Sequence, residues 1–168
     1  MTLTEVRHRL ADIGIRPSKA MGQNFLVDAN ILAIILKQAR IGPDETIIEI
    51  GPGLGVLTAE LIARAGRVIG IEKDRRLCAH LRERFHFLEL VQGDAVKVLG
   101  KTVPFPDSYK VVANLPYNIS TPILERFVEA ARKPRAMVIT LQREVAARLA
   151  ARPGTKEYGA LTLLTQLY

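Results

Sequence analysis

The sequence predicts an α/β protein whose parallel sheet carries helices on both faces. Short, continuously apolar runs alternate with segments of helical periodicity, which is the pattern of buried parallel strands and their connecting helices. A glycine-rich turn, residues 51–55, follows the first of these runs. Acidic or polar residues, Glu72, Asp94 and Asn114, stand at or just after the ends of the next three runs. Because ligands bind at the carboxyl ends of the strands in such sheets, the same observations predict where the site lies.

Apolar periodicity and capping residues predict the elements in chain order. Val6, Leu10 and Ile13 have the spacing of a short amphipathic helix, and Asp28 is a suitable N-cap for a second helix over residues 29–39. Strands are predicted over residues 46–50, 67–71, 88–91, 110–113 and 136–141. The intervening helices are predicted over residues 56–65, 75–85, 122–131 and 142–151, and the apolar segment 159–168 also favours a helix.

The length and composition fit a single domain over residues 1–168, with an N-terminal helix and loop over residues 1–28. Hydrophobic residues make up 48% of the chain, yet no apolar run is as long as a membrane span, so we expect no membrane association. The first ten residues are too charged for a secretory signal. The single Cys78 excludes an internal disulfide framework, and we expect a cytoplasmic protein.

The basic character of the chain favours a polyanionic partner. The net charge is +7, from 24 basic and 17 acidic residues. The basic residues cluster in four groups: Arg7, Arg9, Arg16 and Lys19; Arg75, Arg76, Arg82 and Arg84; Arg132, Lys133 and Arg135; Arg143, Arg148 and Arg152. Aromatic residues are only 5% of the chain and Trp is absent, which argues against a broad stacking platform for long single strands.

The glycine-rich turn and the two carboxylates after it predict an adenosine-binding site. Glycines such as Gly51 and Gly53 let the backbone approach a ligand closely, although tight strand-to-helix packing explains them equally well. Glu72 is placed to accept both hydroxyls of a ribose, or else to start a helix. Asp94 is placed to accept a hydrogen bond from an adenine amine, or to cap a turn. Val56 breaks the nicotinamide pattern Gly-x-Gly-x-x-Gly, so S-adenosylmethionine fits better than NAD.

The tetrad Asn114-Leu115-Pro116-Tyr117 has the chemistry to hold a planar exocyclic amine. The Asn114 side-chain oxygen and the Leu115 carbonyl are both acceptors for an NH₂ group. Pro116 restricts the backbone on both sides of its peptide bond, and Tyr117 offers a flat face for a base. The alternative is a strand-ending turn in which Asn114 bonds its own backbone.

Other kinds of site lack a pattern in the sequence. His8, His80 and His86 have no metal-ligand spacing, so we expect no metal. Neither a Ser-His-Asp or Cys-His arrangement nor a phosphate-binding Gly-x-x-x-x-Gly-Lys-Ser/Thr loop is evident.

Four motifs in order resemble those of the ribosomal RNA adenine dimethyltransferases of the KsgA group. They are residues 22–26 (GQNFL), 49–55 (EIGPGLG), 92–95 (QGDA) and 114–120 (NLPYNIS). The resemblance implies a Rossmann-like class I methyltransferase that dimethylates N6 of two adjacent adenosines in small-subunit ribosomal RNA and takes part in small-subunit maturation. It assigns the cofactor S-adenosylmethionine to Asn24, Leu26, Gly51, Gly53, Glu72, Asp94 and Asn114, and catalysis to Asn114, Leu115, Pro116 and Tyr117.

The resemblance also defines a departure and several alternatives. Members of this family continue with two further strands and a helical C-terminal domain, so we expect the sheet edge at the fifth strand to be uncovered. The resemblance also implies a monomer that binds ribosomal RNA or the 30S precursor particle. A macrolide-resistance methyltransferase of large-subunit RNA remains an alternative, although its tetrad more often has Ile at the position of Leu115. Further alternatives are a non-catalytic RNA-binding or ribosome-assembly module, a nicotinamide oxidoreductase and a DNA adenine methyltransferase.

Overall fold

The computed structural model describes residues 2–15 and 25–167. A five-stranded parallel sheet forms the centre, with the strands in the spatial order β3-β2-β1-β4-β5. The strands are β1 Thr46–Ile50, β2 Arg67–Glu72, β3 Leu88–Gln92, β4 Lys110–Asn114 and β5 Ala136–Thr140. The chain builds the sheet outward from β1 to β3, then returns to the other side of β1 for β4, so the switch point lies between β1 and β4.

Eight helices surround this sheet in the described part of the chain. They are α1 Leu3–Asp12, α2 Ala29–Ala39, α3 Val56–Ile62, α4 Arg75–Arg84, α5 Ala95–Val98, α6 Ser120–Val128, α7 Arg143–Leu149 and α8 Ala160–Leu167. A 3-10 turn, Tyr117–Ile119, joins β4 to α6. None of these helices has both the length and the apolar character needed to cross a membrane.

The core lies on both faces of the sheet because neighbouring strand residues point to opposite sides. Ile48 and Ile50 face a cluster that includes Phe127 of α6. Ile47 faces the other cluster, in which Leu61 of α3 is fully buried. The α/β fold with helices on both faces, predicted from the apolar runs, is therefore confirmed.

The predicted elements are all present, with shifts at their ends. The helix expected over 56–65 ends at Ile62, and the one expected over 122–131 begins at Ser120, directly after the 3-10 turn. The sequence analysis missed α5, because four residues are too few for helical periodicity. Asp28 caps α2 as predicted and accepts hydrogen bonds from the Asn30 and Ile31 amides.

Strand β5 forms one edge of the sheet, with β4 as its only paired neighbour among the described strands. Four of its five residues, Met137 to Thr140, are half-buried, whereas the middle of β4 is fully buried. The predicted position of the fifth strand at a sheet edge is confirmed.

Candidate cofactor and target-base site

A cavity opens at the carboxyl ends of β1, β2, β3 and β4, beside the switch point. Its wall includes every strand-end feature that the sequence analysis singled out. The lining residues are Phe25, Leu26, Glu49, Ile50, Gly51, Pro52, Gly53, Leu54, Val56, Leu57, Ile71, Glu72, Lys73, Asp74, Leu77, Gly93, Asp94, Ala95, Asn114, Pro116, Asn118 and Ile119. The parallel arrangement brings these residues together, because all the strands end at the same edge of the sheet.

The glycine turn after β1 combines positive φ angles with close neighbours. Gly51 has φ of 67°, and a Cβ there would lie 3.2 Å from Cγ of Pro116. Gly53 has φ of 61°, and its missing side chain leaves room for the ring of Phe25. Residues with a side chain rarely adopt this backbone conformation. Glycine is therefore required at position 51 both by the backbone and by the approach of Pro116. The turn thereby holds the tetrad against the end of β1.

Glu72 ends β2 with both carboxyl oxygens pointing at backbone amides. Its Oε2 accepts a hydrogen bond from Gly53 N at 3.1 Å, and its Oε1 accepts from Lys73 N and Asp74 N at 2.8 and 2.9 Å. Burial raises the pKa of this carboxyl, and the three amide donors oppose that shift. The alternative role as a helix-start acid is wrong, because Asp74 is the N-cap of α4.

Asp94 follows β3 and caps α5. Its Oδ1 accepts a hydrogen bond from Val96 N at 3.1 Å, and its Oδ2 pairs with Lys73 Nζ at 3.0 Å. The Lys73 ammonium lowers the pKa of Asp94, so this carboxylate is ionised at neutral pH. The capping role predicted as one of two alternatives is confirmed, and it leaves the carboxylate in the cavity wall.

Glu49 lies inside β1 and is only 2% exposed. Its Oε2 accepts a hydrogen bond from the Thr58 hydroxyl of α3 at 2.7 Å. Burial, together with the nearby charge of Glu72, raises the pKa of Glu49 to about 8, although the Thr58 bond acts in the opposite direction. Glu49 is therefore a mostly protonated acid at neutral pH, in the wall of the same cavity.

The tetrad begins at the last residue of β4. The Thr140 hydroxyl at the end of β5 donates a hydrogen bond to Asn114 Oδ1, since Asn114 and Thr140 are paired across the two strands. Leu115 is fully buried, and Pro116 continues in an extended conformation with ψ of 129°. Tyr117 is 39% exposed and lies outside the cavity lining. The tetrad thus extends from the cavity at Asn114 to the surface at Tyr117.

The structure brings most of the predicted site residues to one place. Leu26, Gly51, Gly53, Glu72, Asp94, Asn114 and Pro116 all line the cavity, whereas Leu115 lies behind its wall. Asn24, also assigned to the cofactor, lies outside the described residues. The ranges described contain no group of three or more His, Cys, Asp or Glu side chains that could hold a metal ion.

Sequence reasoning missed Glu49, Lys73, Asp74 and Thr140 as site residues. Glu49 carried a signal, because a lone charge in the apolar run 47–50 must be buried in a strand of this kind. Asp74 carried another, as an Asp directly before a helix. Thr140 carried none, since its contact with Asn114 depends on the pairing of β5 with β4.

The cavity combines acidic side chains with a glycine turn. Glu72 and Asp94 place two carboxyl groups in its wall, and the glycine turn gives a ligand close access to the backbone. The lining also includes the apolar residues Phe25, Leu26 and Ile71, against which a base can pack. A parallel sheet of this order with this site defines the class I fold of methyltransferases that use S-adenosylmethionine.

The chain belongs to the ribosomal RNA adenine dimethylase family, whose match covers residues 16–168. The ribosomal RNA small subunit methyltransferase A of Moorella thermoacetica is 48% identical to it over 99% of this chain and 61% of that protein. The corresponding protein of Geobacter metallireducens is 45% identical over 92% of this chain and 58% of its own length. The chain therefore spans about three fifths of the length of these relatives.

Solved structures agree with this membership. A dimethyladenosine transferase from Plasmodium falciparum superposes with a TM-score of 0.73 at 32% identity, over 86% of this chain and 53% of that one. The 23S rRNA methyltransferase ErmE superposes with a TM-score of 0.69 at 33% identity, over 84% of this chain and 55% of that one.

Proposed function

We propose that this chain transfers methyl groups from S-adenosylmethionine to N6 of two adjacent adenosines in small-subunit ribosomal RNA, and that it acts in small-subunit maturation. One observation carries the proposal: the tetrad residues Asn114 and Pro116 share a cavity with the carboxylates Glu72 and Asp94. The tetrad that we propose to bind an aromatic amine therefore lies next to the carboxylates that we propose to bind adenosine.

In this mechanism the bound cofactor supplies an electrophilic methyl group, and the residues of the chain position the amine. Asn114 Oδ1 and the Leu115 carbonyl accept hydrogen bonds from N6, which favours a pyramidal nitrogen whose lone pair points at the methyl group. These bonds strengthen as the nitrogen gains positive charge, so they stabilise the transition state more than the ground state.

Thr140 supports this geometry from the neighbouring strand. Its hydroxyl donates to Asn114 Oδ1, which fixes the amide with its oxygen on the side of β5. A carboxamide oxygen has two lone pairs and can accept two hydrogen bonds, as this mechanism requires. Both N6 hydrogens are used over two successive transfers, and water can accept the released protons.

Tyr117 provides the surface for the target base in this proposal. The ring is partly exposed just beyond the cavity, where an adenine removed from its stack can lie against it. Such a base approaches the cofactor from outside, so the two ligands occupy different parts of the site.

The choice of small-subunit over large-subunit RNA rests on sequence. The two relatives cited above are small-subunit methyltransferases by name, and the tetrad has Leu115 where the large-subunit enzymes more often have Ile. The 30S precursor particle as partner, a monomeric state and a cytoplasmic location remain predictions of the same hypothesis.

The test is Asn114→Ala in the full chain of 168 residues, assayed with radiolabelled S-adenosylmethionine on small-subunit RNA, large-subunit RNA and 30S precursor particles. We expect methyl transfer to small-subunit substrate by the wild type and a loss of at least a hundredfold in the variant, because one acceptor for N6 is gone. Cofactor affinity should fall only modestly. Asn30→Ala, on the exposed start of α2, is the matched control.

Three results would contradict the proposal. If Asn114→Ala transfers methyl groups near the wild-type rate, the tetrad does not have the proposed role. Transfer only to large-subunit RNA would indicate an enzyme of the macrolide-resistance type. Binding of RNA by the wild type with no transfer to any substrate indicates an assembly module.

A further inference from the structure

The hydroxyl of Thr140 bonds the same oxygen, Asn114 Oδ1, that receives N6 of the target base in the mechanism above. Thr140 ends β5 directly opposite Asn114, the last residue of β4, so strand pairing holds the two side chains together. Thr140 is not part of the cavity wall, and it therefore acts on the base only through Asn114. This hydroxyl donor stays the same when the base is methylated, whereas the number of hydrogens on N6 changes.

Two successive transfers present two different amines to the tetrad. An unmodified adenosine offers two N6 hydrogens, one for Asn114 Oδ1 and one for the Leu115 carbonyl. After the first transfer N6 carries one hydrogen and one methyl group, so one acceptor is bonded while the methyl group faces the other. An acceptor that loses its donor is costly at this stage, because the base and the cofactor exclude water from the site.

The surroundings of the two acceptors differ. Asn114 Oδ1 keeps the Thr140 hydroxyl as a donor whether or not N6 supplies one. On the other side, the Ile119 amide of the 3-10 turn donates to Pro116 O at 3.2 Å rather than to Leu115 O. The methyl group therefore replaces a hydrogen at the smaller cost on the Asn114 side of the tetrad.

We propose that Thr140 is a positioning residue for the second methyl transfer, because it keeps Asn114 Oδ1 hydrogen-bonded while the methyl group of N6-methyladenosine faces that oxygen. The remaining N6 hydrogen is then donated to the Leu115 carbonyl, and the nitrogen lone pair points at the cofactor. As the new N–C bond forms, the C–S bond breaks with its electron pair on sulfur, and the N6 proton leaves to water. This inference rests on the proposed function and deepens it, since Thr140 then determines whether the product carries one methyl group or two.

A time course of methylation on 30S precursor particles, with the chain in excess, tests the proposal. Mass spectrometry of the digested nucleosides counts N6-methyladenosine and N6,N6-dimethyladenosine, and so gives the rate of each transfer. The variant Thr140→Val keeps the branched side chain and removes the hydroxyl. We expect its second transfer to slow at least tenfold relative to its first, so that N6-methyladenosine accumulates.

Two further variants are the controls. Thr140→Ser retains a hydroxyl and should have the wild-type ratio of second to first transfer. Thr46→Val makes the same change as Thr140→Val in another half-buried strand residue, at the start of β1 and so at the opposite end of the sheet, and it should behave as the wild type. Calorimetry with S-adenosylhomocysteine should give one dissociation constant for the wild type and all three variants, because neither threonine lines the cavity.

The outcomes that overturn the inference differ from those that overturn the function. Equal slowing of both transfers in Thr140→Val, no change in either, or a Thr140→Ser chain that also accumulates N6-methyladenosine would each refute the role of Thr140 and leave that of Asn114 standing. A wild-type chain that transfers no methyl group, or that stops at N6-methyladenosine, would refute the proposed function itself.

Discussion

At the scale of single residues, the site contains two buried glutamates that differ in their hydrogen-bond donors. Glu72 is stabilised by backbone amides on both oxygens, whereas Glu49 is buried with a single hydroxyl donor. Amide donors favour the ionised form of a carboxyl and burial disfavours it. The same residue type thus has three backbone donors at the end of β2 and a single hydroxyl donor inside the neighbouring strand β1.

The ribose assignment of Glu72 leads to a direct prediction. Glu72→Ala should weaken cofactor binding at least tenfold, because two hydroxyl groups lose their hydrogen-bond acceptor. Calorimetry with S-adenosylhomocysteine measures the change, and thermal unfolding should be recorded alongside, since Glu72 also holds Gly53 of the glycine turn. An unchanged dissociation constant would rule out the ribose role.

The protonation of Glu49 predicts how stability depends on pH. The folded state keeps a proton up to about pH 8 that the unfolded state loses near the ordinary value of 4.5, so this group makes stability fall as pH rises through that window. Glu49→Gln cannot ionise, and at pH 9 it should be more stable than the wild type by on the order of 4 kcal/mol.

Urea unfolding at pH 5, 7 and 9 measures this difference between variant and wild type. The difference in unfolding free energy should widen with pH, because only the wild type can lose the proton of Glu49. The other titrating groups affect both proteins equally. A constant gap at all three values would mean that Glu49 is ionised in the folded chain throughout.

At the scale of elements, the start of α3 shows why one glycine tolerates no substitution. Gly55 is the N-cap of this helix with φ of 78°, and a Cβ there would lie 2.3 Å from the ring of Phe85 at the end of α4. The turn between β1 and α3 is therefore set both by backbone conformation and by contact with another helix.

Gly55→Ala should destabilise the chain by about 3 kcal/mol or more, since left-handed strain adds to a steric clash. Gly154→Ala is the matched control, because Gly154 has φ of 89° with nothing within 4 Å of its missing Cβ. It should lose only about 1–2 kcal/mol, the left-handed strain alone. Equal losses in chemical denaturation would show that the clash with Phe85 is relieved without cost.

The length of each helix or strand also determined whether it could be predicted from the sequence. The strands and the longer helices were predictable because their apolar periods are local properties of the chain. The helix α5 was not, since one turn closed by an Asp cap has no period to read. The shift of α6 to Ser120 follows from the 3-10 turn, which depends on how Pro116 leaves the sheet.

At the scale of the whole molecule, two pairs of arginines lie on either side of strand β5 along the chain. Arg143 and Arg148 lie on α7, which begins shortly after the carboxyl end of β5, the end of the sheet at which Asn114 lies. Arg132 and Arg135 precede the same strand and lie at the opposite end of the sheet, where Arg135 approaches Glu45 at 4.0 Å. All four side chains are exposed.

This polarity predicts a difference between two double variants of equal charge. Arg143→Gln with Arg148→Gln should weaken binding of single-stranded RNA about tenfold at low salt and reduce the slope of log K against log salt by about 1.4. Arg132→Gln with Arg135→Gln should change both quantities much less. Equal effects in a filter-binding titration would indicate that charge acts without regard to position.

Strand β5 lies at the edge of the sheet, as expected. The monomeric state of the chain and its single-domain extent over residues 1–168 remain predictions. Exposed edges favour association, so sedimentation of the chain at several concentrations is the direct measurement.

The sequence by itself determined the alternation of strands and helices, the glycine turn and the polar residues at the strand ends. These features are local, and the parallel topology brings them to one edge of the sheet without further information. Tertiary structure alone decided the rest: the hydrogen bond from Thr58 to Glu49, the bond from Thr140 to Asn114 and the contact of Gly51 with Pro116. Each depends on residues distant along the chain, whose meeting is fixed by strand pairing and burial.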